Sequence, residues 1–168
     1  MRKSLSILAA AVLACGAAAS IALAAGGMMM TPQQTIHNLV GTWNCVTHDS
    51  MHKTWHETDV SAMYGSWLRI DATYPAQNGQ HAGTGVAFFG YDSHRGRWLI
   101  TSVDTLNDYS TGYSTAHAFN GALWHDAYPA DGGTATTHTA SANQYSVDSS
   151  GPDGHGHTVT SHQVCTRA

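Results

Sequence analysis

Apolar and polar side chains alternate with a period of two along most of the chain, the pattern of strands with one face buried. In "SWLRIDATY" (66–74), Leu68, Ile70, Ala72 and Tyr74 fall on one face and Arg69, Asp71 and Thr73 on the other. In "RWLITSVDT" (97–105), Leu99, Thr101 and Val103 oppose Trp98, Ile100 and Ser102. Further β-rich runs are "GTWNCVTHD" (41–49), "HKTWHETDVSAM" (52–63), "TGVAFFGYD" (84–92) and "YSTGYSTAHAF" (109–119). The series ends with "ALWHDAYP" (122–129), "TATTHTASANQYSVD" (134–148) and "HTVTSHQVCTR" (157–167). No window sustains the apolar spacing of a helix, and no good cap stands out; "TIHNLVG" (35–41) has room for one helical turn. Between the runs lie "YGS", "PAQNGQ", "DSHRG", "PADGG" and "SSGPDG", which is turn chemistry. Connections this short make successive strands antiparallel neighbours.

About nine or ten antiparallel strands in series predict an all-β fold, a single up-and-down barrel over residues 39–168. Closure removes the sheet edges that an open sheet would have to protect. Cys45 and Cys165 strengthen this reading. As an even pair in an exported chain they form a disulfide, which makes the first and last strands neighbours.

Export is itself read from the start of the chain. Met1-Arg2-Lys3, the uncharged "SLSILAAAVLA" and the small residues Ala22–Ala25 compose a signal peptide over 1–24, followed by a flexible lead-in over 25–38. "VLAC" supports a competing reading, a lipobox that leaves a lipid anchor on Cys15. Both routes lead out of the cytoplasm, to a bacterial periplasm or cell envelope or into the medium, with no transmembrane span in the mature protein.

Charge narrows the partners. The chain has 11 Asp and Glu against 7 Lys and Arg; without Arg2 and Lys3 the balance is 5 − 11 = −6. A chain this acidic does not suit nucleic acid. Its twelve histidines are the unusual feature. In "CVTHDSMHKTWH", His48, His52 and His56 would share a helix face as zinc ligands do, but on strands "HDSMH" holds a hairpin turn that separates them. "HGH" is the better metal candidate: on a strand, His155 and His157 point the same way and could reach one zinc or copper ion, with His138 or His162 as a third ligand. The competing reading is a solvated loop. Nucleophile elbows, His-Glu-x-x-His and phosphate-binding glycine loops are lacking, so no enzyme is expected, and His56-Glu57 reads as a pair on a strand exterior.

Three stretches, "LVGTWNC", "GTGVAFFGYDSHRGRW" and "VCTR", resemble the bacterial lipocalin-like (calycin) β-barrel families of unknown function. The resemblance implies a barrel with an inner cavity for a small apolar or amphipathic molecule. It also implies that Trp43, after Gly41, plugs the closed end, and that Asp92 and Arg97 support a hairpin turn. Haem barrels of the nitrobindin type have a glycine-rich opening after this tryptophan; "NCVTHD" stands here instead, so no haem ligand carries over. Trp43, Trp67, Phe88, Tyr91, Trp98 and Trp124 are the pocket candidates, together with Trp55, Phe89 and Tyr113, against the reading that they are barrel core. Arg69, Asp71 and Asp104 are candidates for polar groups on the inner face. The expected function is non-catalytic binding of a small ligand. The alternatives are a structural or partner-binding envelope protein, and a haem- or metal-binding barrel that uses the histidine-rich surface.

Overall fold

A computed structural model describes residues 31–168 except Asn107. The stretch read as a signal peptide, Cys15 with it, and the first residues of the expected lead-in lie outside the described residues. The strands are β1 (Gly41–Asp49), β2 (Thr54–Tyr64), β3 (Trp67–Tyr74), β4 (Gly83–Asp92) and β5 (Arg97–Asp104). They continue with β6 (Tyr109–Ser114), β7 (Leu123–Tyr128), β8 (Thr134–Ser141), β9 (Gln144–Pro152) and β10 (Thr158–Arg167). Each pairs antiparallel with the next, and β10 returns to pair with β1, so the sheet is a closed ten-strand barrel. The run "TATTHTASANQYSVD" is two strands, β8 and β9, joined by a tight turn.

The closing register puts Cys45 opposite Cys165, and the two are joined as a disulfide. Alternation assigns the inner face: Trp43, Cys45 and Thr47 on β1, Glu57, Asp59 and Ser61 on β2, Leu68, Ile70 and Ala72 on β3 are buried. Gly85, Ala87 and Phe89 continue the inner face on β4, and Trp98 and Ile100 on β5.

Residues 32–38, read from the sequence as flexible lead-in, are helical. Helix α1 (Pro32–Asn38) has Thr31 as its N-cap. The Thr31 hydroxyl accepts from Gln34 N at 3.2 Å, and Gln34 Oε1 accepts from Thr31 N at 2.8 Å, a capping box with proline at the first helical position. Ile36 and Leu39 are fully buried against the barrel end formed by the start of β1 and β3 and the end of β4. The C-terminus holds the helix there. Arg167 donates from Nη2 to Asn38 O (2.9 Å) and from Nη1 to Val40 O (2.8 Å), while its guanidinium lies 4.3 Å from the centre of the Trp43 ring. Trp43 Nε1 in turn donates to Leu39 O at 3.1 Å. The "GTW" and "CTR" stretches at opposite ends of the chain are therefore one cluster, a guanidinium capping helix carbonyls over an aromatic plug.

Gly41 is required for it. Its φ is +143°, and a Cβ there would stand 2.3 Å from Arg167 Nη1. Gly41→Ala is expected to lower stability by on the order of 1–3 kcal/mol, through backbone strain and expulsion of the guanidinium. Urea unfolding measures it; Arg167→Lys, which keeps the charge but loses the fork, should lose part of the same increment.

Candidate functional site

The capped end of the barrel is aromatic. Phe89 and Trp98 stack with centroids 5.3 Å apart and planes 9° from parallel. Phe119, delivered by the β6–β7 loop, stands edge-on to Phe89 at 5.6 Å and to Trp98 at 5.8 Å, with Trp124 beyond it at 6.1 Å. That loop is tied in by Gly121 N donating to Thr137 O (2.7 Å) and by the Thr137 hydroxyl donating to Phe119 O. Tyr91 contacts Trp98 edge-on, and Tyr145 contacts Trp43.

Of the pocket candidates, Trp43, Tyr91, Trp98 and Trp124 thus join this inner cluster. Trp67 and Phe88 do not. The Trp67 ring lies over Gly90 on the outer face, where a Cβ at Gly90 would meet it at 2.3 Å. Phe88 alternates with inward Ala87 and Phe89, and packs outside against exposed Tyr64. Phe89, a further candidate, does point inward, as the small inward residues Gly85 and Ala87 in phase with it signal, and Phe119 and Tyr145 are inward rings that are not among the pocket candidates. Phe119 has no such signal, because it sits in a loop.

Above the aromatic base the interior turns polar. Glu57 and Asp59 both point inward from β2 and are buried, so His56-Glu57 is not an exterior pair: successive strand residues face opposite ways, and only His56 is outside. Glu57 accepts from Gln163 Nε2 at 2.6 Å. Asp59 Oδ2 lies 3.8 Å from Cys45 Sγ, as does the Tyr145 hydroxyl. Burial pushes the Glu57 carboxyl up to about 7, partly offset by the Gln163 hydrogen bond. Burial and the neighbouring Glu57 push Asp59 well above the usual carboxylate range. The same two carboxyls, added to burial, raise the hydroxyls of Tyr74 and Tyr145. Burial therefore favours the neutral form of both carboxyls in this chamber, and Glu57 is only partly ionised near neutral pH.

Four buried polar atoms of the base and chamber have no hydrogen-bond partner among the described residues: Asp59 Oδ1, Ser61 Oγ, Trp98 Nε1 and Trp124 Nε1. Among the described residues, Cys45, Glu57 and Asp59 are the group whose ligand atoms lie within 4.8 Å of one another. The Cys45 sulfur is spent in the disulfide and carries no thiolate, so this donor set does not suit a metal ion.

At the uncapped end the acidic side chains serve turns. Asp49 Oδ1 accepts from Met51 N and Lys53 N, both at 2.9 Å, and its Oδ2 accepts from Trp55 Nε1 at 3.1 Å. Asp104 faces inward but accepts from Leu106 N (2.8 Å) and Asp108 N (3.0 Å). Arg69 and Asp71 are not inner-face groups; they pair at 2.6 Å on the outside. In the β4–β5 hairpin Asp92 takes Arg95 as partner at 2.9 Å, whereas Arg97 lies over the Tyr113 ring.

The histidines separate. His52 sits in the β1–β2 turn with φ +62°, His48 on β1 and His56 on β2, so the three do not converge. His155 and His157 lie in the β9–β10 connection, not on a strand. Asp153 organises that loop, accepting from His155 N (2.7 Å) and His157 N (3.0 Å) and pairing with His157 Nδ1 at 3.0 Å. His138 and His162 are elsewhere, on β8 and β10.

Comparison with known proteins gives one family and a set of barrels. The model of DUF1579, described as a protein of unknown function, matches residues 30–164. No curated protein matches. Among solved structures, the S-type phycobiliprotein lyase CPES of Guillardia theta superposes with a TM-score of 0.60 at 12% identity, over 83% of this chain and 93% of that one. A de novo designed fluorescence-activating β barrel superposes at 0.52 and 11% identity, over 83% of this chain and 100% of that one. Likeness at these identities concerns the fold.

Proposed function

The chain belongs to the DUF1579 family, and from that premise we propose that it is a lipocalin-like binding protein whose barrel takes a small amphipathic molecule. The observation that carries this reading is the set of partnerless buried atoms. Asp59 Oδ1 and Ser61 Oγ on one side and the Trp98 and Trp124 indole N–H groups on the other are left unsatisfied. Each such group costs about 1–3 kcal/mol when buried alone. A ligand with an apolar body and both donor and acceptor atoms would satisfy them while resting on the aromatic base, which is the composition of small-molecule pockets generally. The similarity in fold to a fluorescence-activating barrel and to a lyase named for phycobiliproteins is compatible with an interior that accommodates organic molecules. The protein acts outside the cytoplasm, where the Cys45–Cys165 disulfide persists.

A catalytic role is the second reading, favoured by one observation. A carboxyl held at about 7 beside a second raised carboxyl is poised for general acid–base work.

Native mass spectrometry of protein purified from its own host, beside a denatured sample, tests the binding reading. A small-molecule mass lost on denaturation, and absent from Asp59→Asn protein, is the expected result. A native mass equal to the bare oxidised chain would overturn it in favour of a partner-binding envelope protein. The same spectra read the N-terminus: a lipidated Cys15 gives a membrane-anchored form, and cleavage near Ala25 a free one.

A further inference from the structure

The outer face of the barrel carries a histidine cluster that the interior does not use. Register aligns His48 on β1, His162 on β10, Asp148 on β9 and Thr136 on β8 across four adjacent strands. Their sequence neighbours Thr47, Gln163, Val147 and Thr137 are buried, so the row faces outward. Asp148 divides its carboxylate between two imidazoles. Oδ1 lies 2.6 Å from His162 Nδ1, and Oδ2 lies 3.1 Å from His138 Nε2, which projects from β8 two residues beyond Thr136. His48 stands directly opposite His162 and uses Nδ1 on the Thr54 hydroxyl at 3.0 Å, leaving Nε2 to other partners. His48, Asp148 and His162 also line one open depression of about 550 Å³, walled otherwise by hydroxyl residues such as Thr134, Thr136, Ser150 and Thr160.

We propose that His48, His138, Asp148 and His162 form a binding site for a divalent transition cation on the outer face of β8, β9, β10 and β1. Imidazole nitrogens with one carboxylate are a borderline donor set that suits Zn²⁺, Ni²⁺ or Cu²⁺ in preference to Mg²⁺ or Ca²⁺. His48, His162 and Asp148 are directly opposed on three adjacent strands of one face; neighbouring Cβ atoms there are about 5 Å apart and the outer two about 10 Å, a span that an imidazole reaching from each side of the row can close on one ion. His138 and His162 approach Asp148 from different oxygens. Half-exposed as they are, their rings turn about χ1 and χ2 without disturbing the core, to close on an ion that replaces the present hydrogen bonds. The hydroxyl-lined depression leaves room for the waters that complete its coordination. The site is distinct from "HGH", where Gly154 and Gly156 take positive φ and Asp153 already engages His157.

Isothermal titration of untagged, chelator-treated oxidised protein with Zn²⁺, and separately with Ni²⁺, tests the proposal. One equivalent should bind, and His162→Ala or Asp148→Asn should weaken binding about tenfold or more. His155→Ala/His157→Ala should leave affinity within twofold. Circular dichroism should be the same for all variants, since every changed side chain is exposed. Stoichiometric binding that is lost in the His155/His157 variant but kept in His162→Ala would overturn the assignment. So would several weak equivalents that no single variant alters, which mark scattered surface histidines, or no binding at all.

Discussion

Replacing Cys45 and Cys165 together by alanine is expected to lower the unfolding free energy by about 4–5 kcal/mol, the increment for a cross-link around so long a loop. The bond joins residues 120 positions apart, so it constrains nearly the whole chain in the unfolded state. It also sits at the point where the barrel closes, between β1 and β10, whose pairing is the most distant in sequence. An up-and-down barrel without that pairing is an open ten-strand sheet with two unprotected edges. Loss of the bond should therefore be felt first as opening of the β1–β10 seam. The helix cap and the Trp43 plug depend on the same seam through Arg167. Urea unfolding of oxidised wild type against the double variant reads the free energy, and hydrogen exchange at Val46 and Val164, register partners beside the bond, reads the seam. An unfolding midpoint unchanged in the variant, with amides at the seam still protected, would show that strand pairing alone holds the barrel shut.

The architecture was legible wherever one face of a strand is apolar and the other polar. In β3 that contrast is strong, and Leu68, Ile70 and Ala72 face inward as the alternation requires. Where both faces are polar the pattern is silent. "HETDVS" in β2 offers no apolar stripe, so Glu57, Asp59 and Ser61 look like surface residues although they form the polar wall of the interior. In β4 both Phe88 and Phe89 are large, and only the small residues Gly85 and Ala87 betray which of them points in; the glycines admit neighbours such as the Tyr74 hydroxyl, which would stand 2.9 Å from a Cβ at Gly85. The helix was missed for a different reason. Thr31-Pro32-Gln33-Gln34 is a complete capping-box signature, but its apolar face is limited to Ile36 and Leu39, too few residues to produce a helical period. The cluster of histidines and Asp148 on β8, β9, β10 and β1 was beyond reach of spacing altogether, because register brings together residues separated by 10 to 114 positions, from His138–Asp148 to His48–His162.

Glu57→Gln is expected to stabilise the protein at pH 8 and to flatten its stability profile below that pH. The sign follows from the raised carboxyl. Glu57 titrates at about 7 in the fold against 4.5 when unperturbed, so between those values the native state binds the proton and the unfolded state does not. Unfolding free energy then falls as pH rises through that window and stays low above it. A displacement of this size corresponds to on the order of 3 kcal/mol, which a neutral amide at position 57 does not lose. Asp59 acts in the same direction, since its carboxyl is also raised, by burial first and by Glu57 second. Each ionisation opposes the other, so Glu57→Gln should also make Asp59 easier to ionise, and the two substitutions should not be additive. Urea unfolding of wild type, Glu57→Gln, Asp59→Asn and the double variant from pH 4 to 9 measures this. Wild type should lose stability on going from acid to neutral pH, in the range where most proteins are at their best, and the double variant should not. A wild-type profile that is flat or rises between pH 4.5 and 7 would mean that Glu57 and Asp59 are solvated or paired with a cation inside the barrel. That second case is separable: a bound cationic ligand would be lost from the double variant and would appear in the native mass of wild type alone.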